Sequence, residues 1–121
     1  MVKALFDTNI LVDFLNAVPQ ARDEMDRCRQ RAVSIVTWME VLVGADSTVE
    51  AATRAFLDGF EIVPLDSAVA ERAVTLRREF RTKLPDAVAW ASADIHSMLL
   101  ITRDRQGFPT DLPGIRIPYS L

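Results

Sequence analysis

Near its start the chain reads Val2-Lys3-Ala4-Leu5-Phe6-Asp7-Thr8-Asn9. This short apolar run is bounded by polar, turn-forming residues, which predicts a β-strand buried on both faces. Asp7 ends the strand, and Thr8 and Asn9 favour the start of a helix. Because ligands of open α/β sheets bind beyond the carboxyl ends of the strands, Asp7 is a candidate site residue. The alternative is that Asp7 only caps a helix beginning near Ile10.

The composition is that of an ordinary globular protein. The 121 residues are 50% hydrophobic and 26% charged, and we expect one domain over residues 1–121. A net charge of −3 argues against nucleic-acid binding through bulk charge, although acids gathered in one metal site would give the same total. No signal peptide and no membrane-spanning segment are recognisable, so we expect a cytoplasmic protein that makes no membrane contact. Core packing is expected for Cys28, and a structural role for His96, the one histidine.

Apolar strands alternate with amphipathic helices along the whole chain. Beyond the first strand we predict strands over 32–36, 59–63, 99–102 and 115–117, and helices over 10–15, 20–31, 37–44, 47–58, 66–80 and from 84 onward. Pro113 and Pro118 flank the last strand and place it at an edge. This alternation predicts an α/β fold, a three-layer α/β/α sandwich with a mainly parallel central sheet of four or five strands.

Four carboxylates occupy equivalent places in this predicted fold. Asp7 follows the first strand and Asp104 the fourth, while Glu40 and Asp86 are expected in the first turns of helices. Right-handed crossovers bring these places to one edge of a parallel sheet, so the four acids can meet. Each also has a simpler explanation: Glu40 could close a T-x-x-E capping box with Thr37, and Asp86 could complement a helix dipole.

Four like charges at close range destabilise a fold unless a cation joins them. Hard cations such as Mg²⁺ and Mn²⁺ prefer oxygen ligands, and without His or Cys among the four positions zinc is disfavoured. A site of this kind suggests phosphoryl chemistry assisted by a metal ion.

Basic residues lie close to two of the four acids. Arg77, Arg78, Arg81 and Lys83 crowd the end of the predicted helix 66–80, where favourable placement at a helix C-terminus is the preferred explanation and a phosphate-contacting patch the alternative. Lys83, before Asp86, and Arg103, before Asp104, are the candidate phosphate contacts.

At this point the sequence resembles a known family, the PIN-domain ribonucleases, and specifically the VapC-type toxins of type II toxin–antitoxin pairs. The resemblance spans nearly the whole chain. It is carried by the segments Asp7-Thr8-Asn9, Ser34-Ile35-Val36-Thr37-Trp38-Met39-Glu40, Leu84-Pro85-Asp86-Ala87 and Leu100-Ile101-Thr102-Arg103-Asp104.

The resemblance implies roles for residues of these segments. Asp7, Glu40, Asp86 and Asp104 would be both the metal ligands and the catalytic acids of a Mg²⁺- or Mn²⁺-dependent endoribonuclease. Thr8, Asn9 and Thr102 would support the metal or the scissile phosphate. The chain departs from the family at Gly107, where members often carry an acid before a Phe, so Asp104 would supply the fourth carboxylate alone.

The resemblance also implies partners: RNA as substrate, a small cognate antitoxin, and a second copy of the chain in a homodimer. We expect the antitoxin tail to lay a helix across residues 21–60, with Trp38 and Phe56 in its groove. It would direct an Arg or Lys toward Asp7, Glu40 and Asp86.

Two other functions are compatible with the same pattern. Doubly wound domains of this size also include phosphoacceptor and phosphatase-like proteins, although these usually carry a second Asp two residues after the nucleophile, where this chain has Asn9. The chain could also be a non-catalytic PIN-like module that binds RNA or a protein.

Overall fold

A computed structural model describes residues 3–121, so Val2 of the predicted first strand lies outside the described residues. The strands of this part are β1 (Ala4–Phe6), β2 (Arg31–Ser34), β3 (Glu61–Val63), β4 (Leu99–Ile101) and β5 (Ile115–Arg116). The helices are α1 (Thr8–Leu15), α2 (Pro19–Asp26), α3 (Ile35–Val43), α4 (Glu50–Leu57), α5 (Ser67–Phe80) and α6 (Leu84–Ile95). Within residues 3–121, no helix combines the length and the hydropathy needed to cross a bilayer.

The strands form one sheet in the order β3-β2-β1-β4-β5, and every neighbouring pair is parallel. The predicted α/β fold with a parallel central sheet is therefore confirmed, including the edge position of the last strand. The first strand lies at the centre, so its carboxyl end is flanked by the ends of β2 and β4. Asp7 extends this arrangement, because its N–H donates to the carbonyl of Ile101 at 2.9 Å.

Alternate residues of the central strand point to opposite faces of the sheet and enter two separate hydrophobic cores. Leu5 packs with residues of α5 and α6, whereas Ala4 and Phe6 pack with residues of α1, α2, α3 and α4. Helices therefore cover both faces, which is why the strand contains almost no polar side chain. This gives the three predicted layers.

Several predicted boundaries are wrong by a few residues. The second helix ends at Asp26 rather than Arg31, and the fourth begins at Glu50 rather than Ser47. The second strand ends at Ser34, so Ile35 and Val36 belong to α3. These two β-branched residues favour strands by propensity, but the capping of α3 by the Ser34 side chain decides their conformation.

Two ion pairs with nearly buried acids connect distant parts of the chain. Arg116 of β5 reaches Glu24 of α2 through two nitrogens, and Arg103, after β4, reaches Asp13 of α1 in the same way. In both pairs the acid side chain is 5% exposed and the arginine about one third exposed. Such bidentate pairs fix geometry as well as neutralising a buried carboxylate.

Candidate active site

Asp7 occupies the N-cap of α1, so the predicted capping role is confirmed, although capping is only part of what this side chain does. Its Oδ1 accepts a hydrogen bond from the Thr8 N–H at 2.9 Å. Its Oδ2 accepts two more, from the Thr102 hydroxyl at 2.8 Å and from Asn9 Nδ2 at 3.3 Å. Asp7 therefore joins residues from the first and the fourth motif, which is more than a helix cap requires.

The charge of Asp7 is poorly compensated. The residue is 4% exposed, and within residues 3–121 its carboxylate accepts hydrogen bonds from neutral donors and forms no ion pair. Burial, helped by the negative charges of Asp86 and Glu40, raises the pKa of Asp7 to about 6 against the hydrogen bonds from Thr102 and Thr8. A buried acid of this kind is stabilised as an anion when a cation joins it.

Glu40 lies in the second turn of α3, because the helix begins at Ile35 with Ser34 as its cap. Ser34 Oγ accepts the Thr37 N–H at 3.0 Å. The predicted capping box between Thr37 and Glu40, and the placement of Glu40 in the first turn, are therefore wrong. The carboxylate of Glu40 is instead held by the Thr8 hydroxyl, which donates to Oε1 at 2.8 Å.

A chain of hydroxyl groups leads from β2 to Glu40. Because the Thr8 hydroxyl proton goes to Glu40, Thr37 must donate to Thr8 across their 3.0 Å contact, and Ser34 Oγ donates to Thr37 Oγ1 at 3.3 Å. Ser34 and Thr37 are nearly inaccessible to solvent. Neither residue was predicted as part of the site, although Thr37 and Ser34 lie three and six residues before Glu40 in the same motif, which was the available signal.

Asp86 lies in the first turn of α6, as predicted, and is half-buried. Its pKa is raised by burial first, then by the charges of Asp104 and Glu40, and the nearby Lys83 opposes this shift. The carboxylates of Asp7, Glu40 and Asp104 thus all come close enough to influence Asp86 or each other.

Asp104 follows β4, and the turn after it holds the Asp104 carboxylate in place. Its Oδ1 accepts the backbone N–H groups of Gln106 at 3.0 Å and Gly107 at 2.9 Å. A Cβ atom placed on Gly107 would overlap Asp104 Oδ2 and would lie 3.4 Å from Asp86 Oδ2. Oxygens of both acids therefore border the space in front of Gly107.

The four acids converge without closing around one point. Among residues 3–121, no three His, Cys, Asp or Glu side chains stand close enough together to hold an ion as they are placed here. Mutual repulsion keeps uncompensated carboxylates apart, and Mg²⁺ usually takes one or two of them directly and keeps several waters. The donor set, which consists of oxygens with one buried and uncompensated acid, fits a hard divalent cation.

The predicted supporting residues differ in their positions. Thr8, Asn9 and Thr102 all hydrogen-bond to the acids, whereas Arg103 directs its guanidinium at Asp13 and away from this role. Lys83 is exposed next to the first turn of α6.

Elsewhere in the basic cluster, the structural explanation is supported. Arg77 Nη1 donates to the carbonyls of Arg81 at 3.3 Å and Thr82 at 3.1 Å. This arginine therefore satisfies backbone groups just beyond α5.

The fold and the acidic site define a class of protein. The family model described as PIN domain matches residues 4–110, and the chain belongs to the PIN-domain family. No curated protein matches the chain.

Solved structures with the same fold support this family assignment. The chain has 42% identity and a TM-score of 0.93 to a structure described as a toxin–antitoxin complex from Klebsiella pneumoniae, over 98% of this chain and 100% of that one. VapBC2 from Rickettsia felis, bound to a DNA fragment from its promoter, gives a TM-score of 0.74 at 19% identity, over 93% of this chain and 94% of that one. VapBC-5 from Mycobacterium tuberculosis gives a TM-score of 0.70 at 22% identity, over 96% of this chain and 97% of that one. The resemblance to VapC-type PIN proteins predicted from the sequence is confirmed.

Proposed function

We propose that this PIN-domain protein is a Mg²⁺- or Mn²⁺-dependent endoribonuclease and acts as the toxin of a toxin–antitoxin pair. The observation that carries the proposal is the buried Asp7 carboxylate, which is held by neutral donors and is close enough to Asp86 and Glu40 for their charges to raise its pKa. Such an arrangement is destabilising unless it binds a cation, and enzymes that cut phosphodiesters use cations in this way.

Asp7, Glu40, Asp86 and Asp104 would hold the ion. When bound, it supplies an activated water and positive charge beside the departing oxygen of the phosphodiester. The other side chains of the site position these acids: Thr8 fixes Glu40, and Thr102 and Asn9 orient Asp7. Lys83, whose positive charge acts on Asp86, would contact a phosphate of the RNA.

The decisive comparison is between two glutamates that both lie on helices and are exposed. Glu40→Gln preserves the size of the side chain and its contact with Thr8 but removes the charge. Glu71→Gln makes the same change on α5, away from the site. We expect Glu40→Gln to lower Mg²⁺-dependent cleavage of an RNA pool by at least about 100-fold and Glu71→Gln to leave it unchanged. Equal activity of the two variants, or cleavage that continues in EDTA, would contradict the proposal.

The antitoxin partner is supported by an apolar groove of about 480 Å³ that lies between α1, α3 and α4. Its lining residues are Val12, Leu15, Asn16, Glu40, Val41, Gly44, Ala45, Val49, Ala52 and Thr53. The groove differs from the one expected from the sequence, because α1 replaces α2 and neither Trp38 nor Phe56 lines it. Both aromatic rings are half-buried, with Phe56 stacked on Phe14 and Trp38 beneath Arg54.

Glu40 lines this groove and also belongs to the acidic site, so the two are continuous. An amphipathic helix in the groove could therefore direct an Arg or Lys to the acids and replace the metal ion. Competition between Mg²⁺ and the antitoxin for the protein is the expected consequence, and an antitoxin affinity unaffected by Mg²⁺ would contradict it.

The remaining parts of the proposal follow from the family. A homodimer is proposed and is tested by the mass of the free protein in solution. A cytoplasmic location is proposed because the RNA substrate and the antitoxin would be found there.

The phosphoacceptor alternative predicts a covalent phosphate on Asp7. Both Asp7 oxygens already accept hydrogen bonds and the residue is almost fully buried, which does not favour a nucleophile. Trapping with a fluoride complex that mimics phosphate separates the two, since a nuclease forms no aspartyl phosphate.

A further inference from the structure

Two residues outside the four motifs, Asp13 and Tyr119, are connected to the acidic site by hydrogen bonds. The hydroxyl of Tyr119, close to the end of the chain, donates to Asp13 Oδ2 at 2.8 Å. The same carboxylate receives the Arg103 guanidinium through Nε and Nη2, the latter at 3.0 Å from Oδ1. Asp13 therefore fixes the residue that directly precedes Asp104.

From Arg103 the connection continues through the backbone. The Arg103 N–H donates to Asn9 Oδ1 at 3.2 Å. Because the amide oxygen of Asn9 is used in this way, its Nδ2 must face the other side, where it donates to Asp7 Oδ2 at 3.3 Å and to Thr102 Oγ1 at 3.2 Å. The orientation of the Asn9 amide, and with it the donor set around Asp7, thus depends on where Arg103 is held.

We propose that Asp13 and Tyr119 are positioning residues of the acidic site, which act through Arg103 and Asn9 on the carboxylate of Asp7. The proposal rests on the proposed function for its effect on metal binding, but the orientation of Asn9 can be observed without metal. The hydrogen-bonding partners of residues that hold a metal typically change affinity or activity by about 10–100-fold when they are lost. Asp13 and Tyr119 lie further out, so we expect about 3- to 10-fold.

The chain contains a matched control for this proposal. Glu24 and Arg116 form a bidentate pair of the same type, with 5% and 36% exposed side chains against 5% and 34% for Asp13 and Arg103. The Glu24–Arg116 pair joins α2 to β5, and none of its side-chain hydrogen bonds reaches the acidic site. Its one backbone link to the site is the Thr102 N–H, which donates to the Arg116 carbonyl at 3.1 Å next to the β4–β5 pairing and does not involve Asn9. Neutralising either acid removes the charge that pairs with an arginine about one third exposed and should cost similar stability in the two cases. Only Asp13→Asn should affect the acidic site.

The test compares Asp13→Asn, Tyr119→Phe and Glu24→Gln in the full-length protein. The first measurement is the position of the Asn9 side-chain amide signals in ¹⁵N-resolved NMR spectra of metal-free protein, identified by their loss in Asn9→Ala. The second is the Mn²⁺ dissociation constant. We expect the Asn9 signals to move and the dissociation constant to rise about 3- to 10-fold in Asp13→Asn and Tyr119→Phe, with neither change in Glu24→Gln.

Unchanged Asn9 signals in Tyr119→Phe, which removes a single hydroxyl and is expected to fold, would overturn the proposal. So would an equal rise of the Mn²⁺ dissociation constant in Glu24→Gln, because that result would reflect general loosening. If the wild-type protein bound no Mn²⁺, the proposed function would fail, and the Asn9 signals alone would decide the positioning role.

Discussion

The Thr102 hydroxyl donates to Asp7 Oδ2 at 2.8 Å and joins residues that are 95 positions apart. Thr102 Oγ1 in turn accepts hydrogen bonds from Asn9 Nδ2 at 3.2 Å and from the Asp104 N–H at 3.1 Å. Thr102 is completely buried, and one hydroxyl thus connects the ends of β1 and β4 with two of the acids. The positions of Asp7, Asn9 and the Asp104 backbone at the site all depend on this hydroxyl.

Thr102→Val keeps the shape of the side chain and deletes that hydroxyl. We expect the free energy of unfolding to fall by about 1–3 kcal/mol, because Asp7 loses a donor and the Asp104 N–H loses its acceptor. Urea unfolding measures this loss. Thr102→Ser is the control, since it keeps the hydroxyl and removes only a methyl group. Equal stabilities of the Val variant and the wild type would show that the hydrogen bonds contribute nothing.

Asp7 makes the stability of the metal-free protein depend on pH. Its folded pKa of about 6 lies above the ordinary value of 3.8, so the folded state binds this proton more tightly than the unfolded state. Stability is therefore lost as pH rises through this window, by about 3 kcal/mol from this group. Urea unfolding in EDTA from about pH 4 to pH 8 should show a larger loss in the wild type than in Asp7→Asn, where Asp86, whose pKa is also raised, still contributes. An identical pH dependence of both proteins would place the titrating group elsewhere.

The Asp104 side chain occupies the space that a Cβ atom at residue 107 would need, so this position takes a glycine. The Cβ of Gly107→Ala would displace the Asp104 carboxylate, and misplacing a catalytic group by about 1 Å can cost 100-fold in rate. We expect RNA cleavage to fall at least about tenfold. Gly114→Ala is the control, since a Cβ there meets no atom within 4 Å. Full activity of Gly107→Ala would mean that Asp104 is not needed where it lies.

Val12 and Val74 allow the antitoxin groove to be tested separately from catalysis. The two side chains are 40% and 41% exposed, and only Val12 lines the groove. Val12→Asp should weaken binding of the proposed antitoxin at least about tenfold, because a charge would be buried on binding. Calorimetric titration measures the affinity. Val74→Asp should bind normally, and equal affinities of both variants would move the interface elsewhere.

Much of the architecture could be predicted from the order of apolar strands and amphipathic helices. That order determines a parallel sheet, and a parallel sheet brings Asp7, Asp86 and Asp104 to one edge. The position of Glu40 at the site was also expected, but the residue lies in the second turn of α3 and not in the predicted first turn. The strand propensity of Ile35 and Val36 concealed the Ser34 cap, which moves the start of α3 by two residues.

Contacts made across the whole chain could not be predicted in the same way. Asp13 and Tyr119 are 106 residues apart, and no local pattern pairs them. The available signal was that Asp13 is the one charged residue of α1 and interrupts the apolar run from Ile10 to Leu15, where a buried acid requires a partner. Which partner it finds depends on the packing of the last strand and the segment after it.

The central claim is that a divalent ion binds among the four acids. Mn²⁺ is paramagnetic and broadens the NMR signals of nuclei close to it, so substoichiometric Mn²⁺ added to ¹⁵N-labelled protein locates the ion directly. We predict that broadening centres on the backbone amides of Asp7, Asp86 and Asp104 and is abolished in Asp7→Asn. Broadening centred away from this edge of the sheet, or unchanged in Asp7→Asn, would contradict the account.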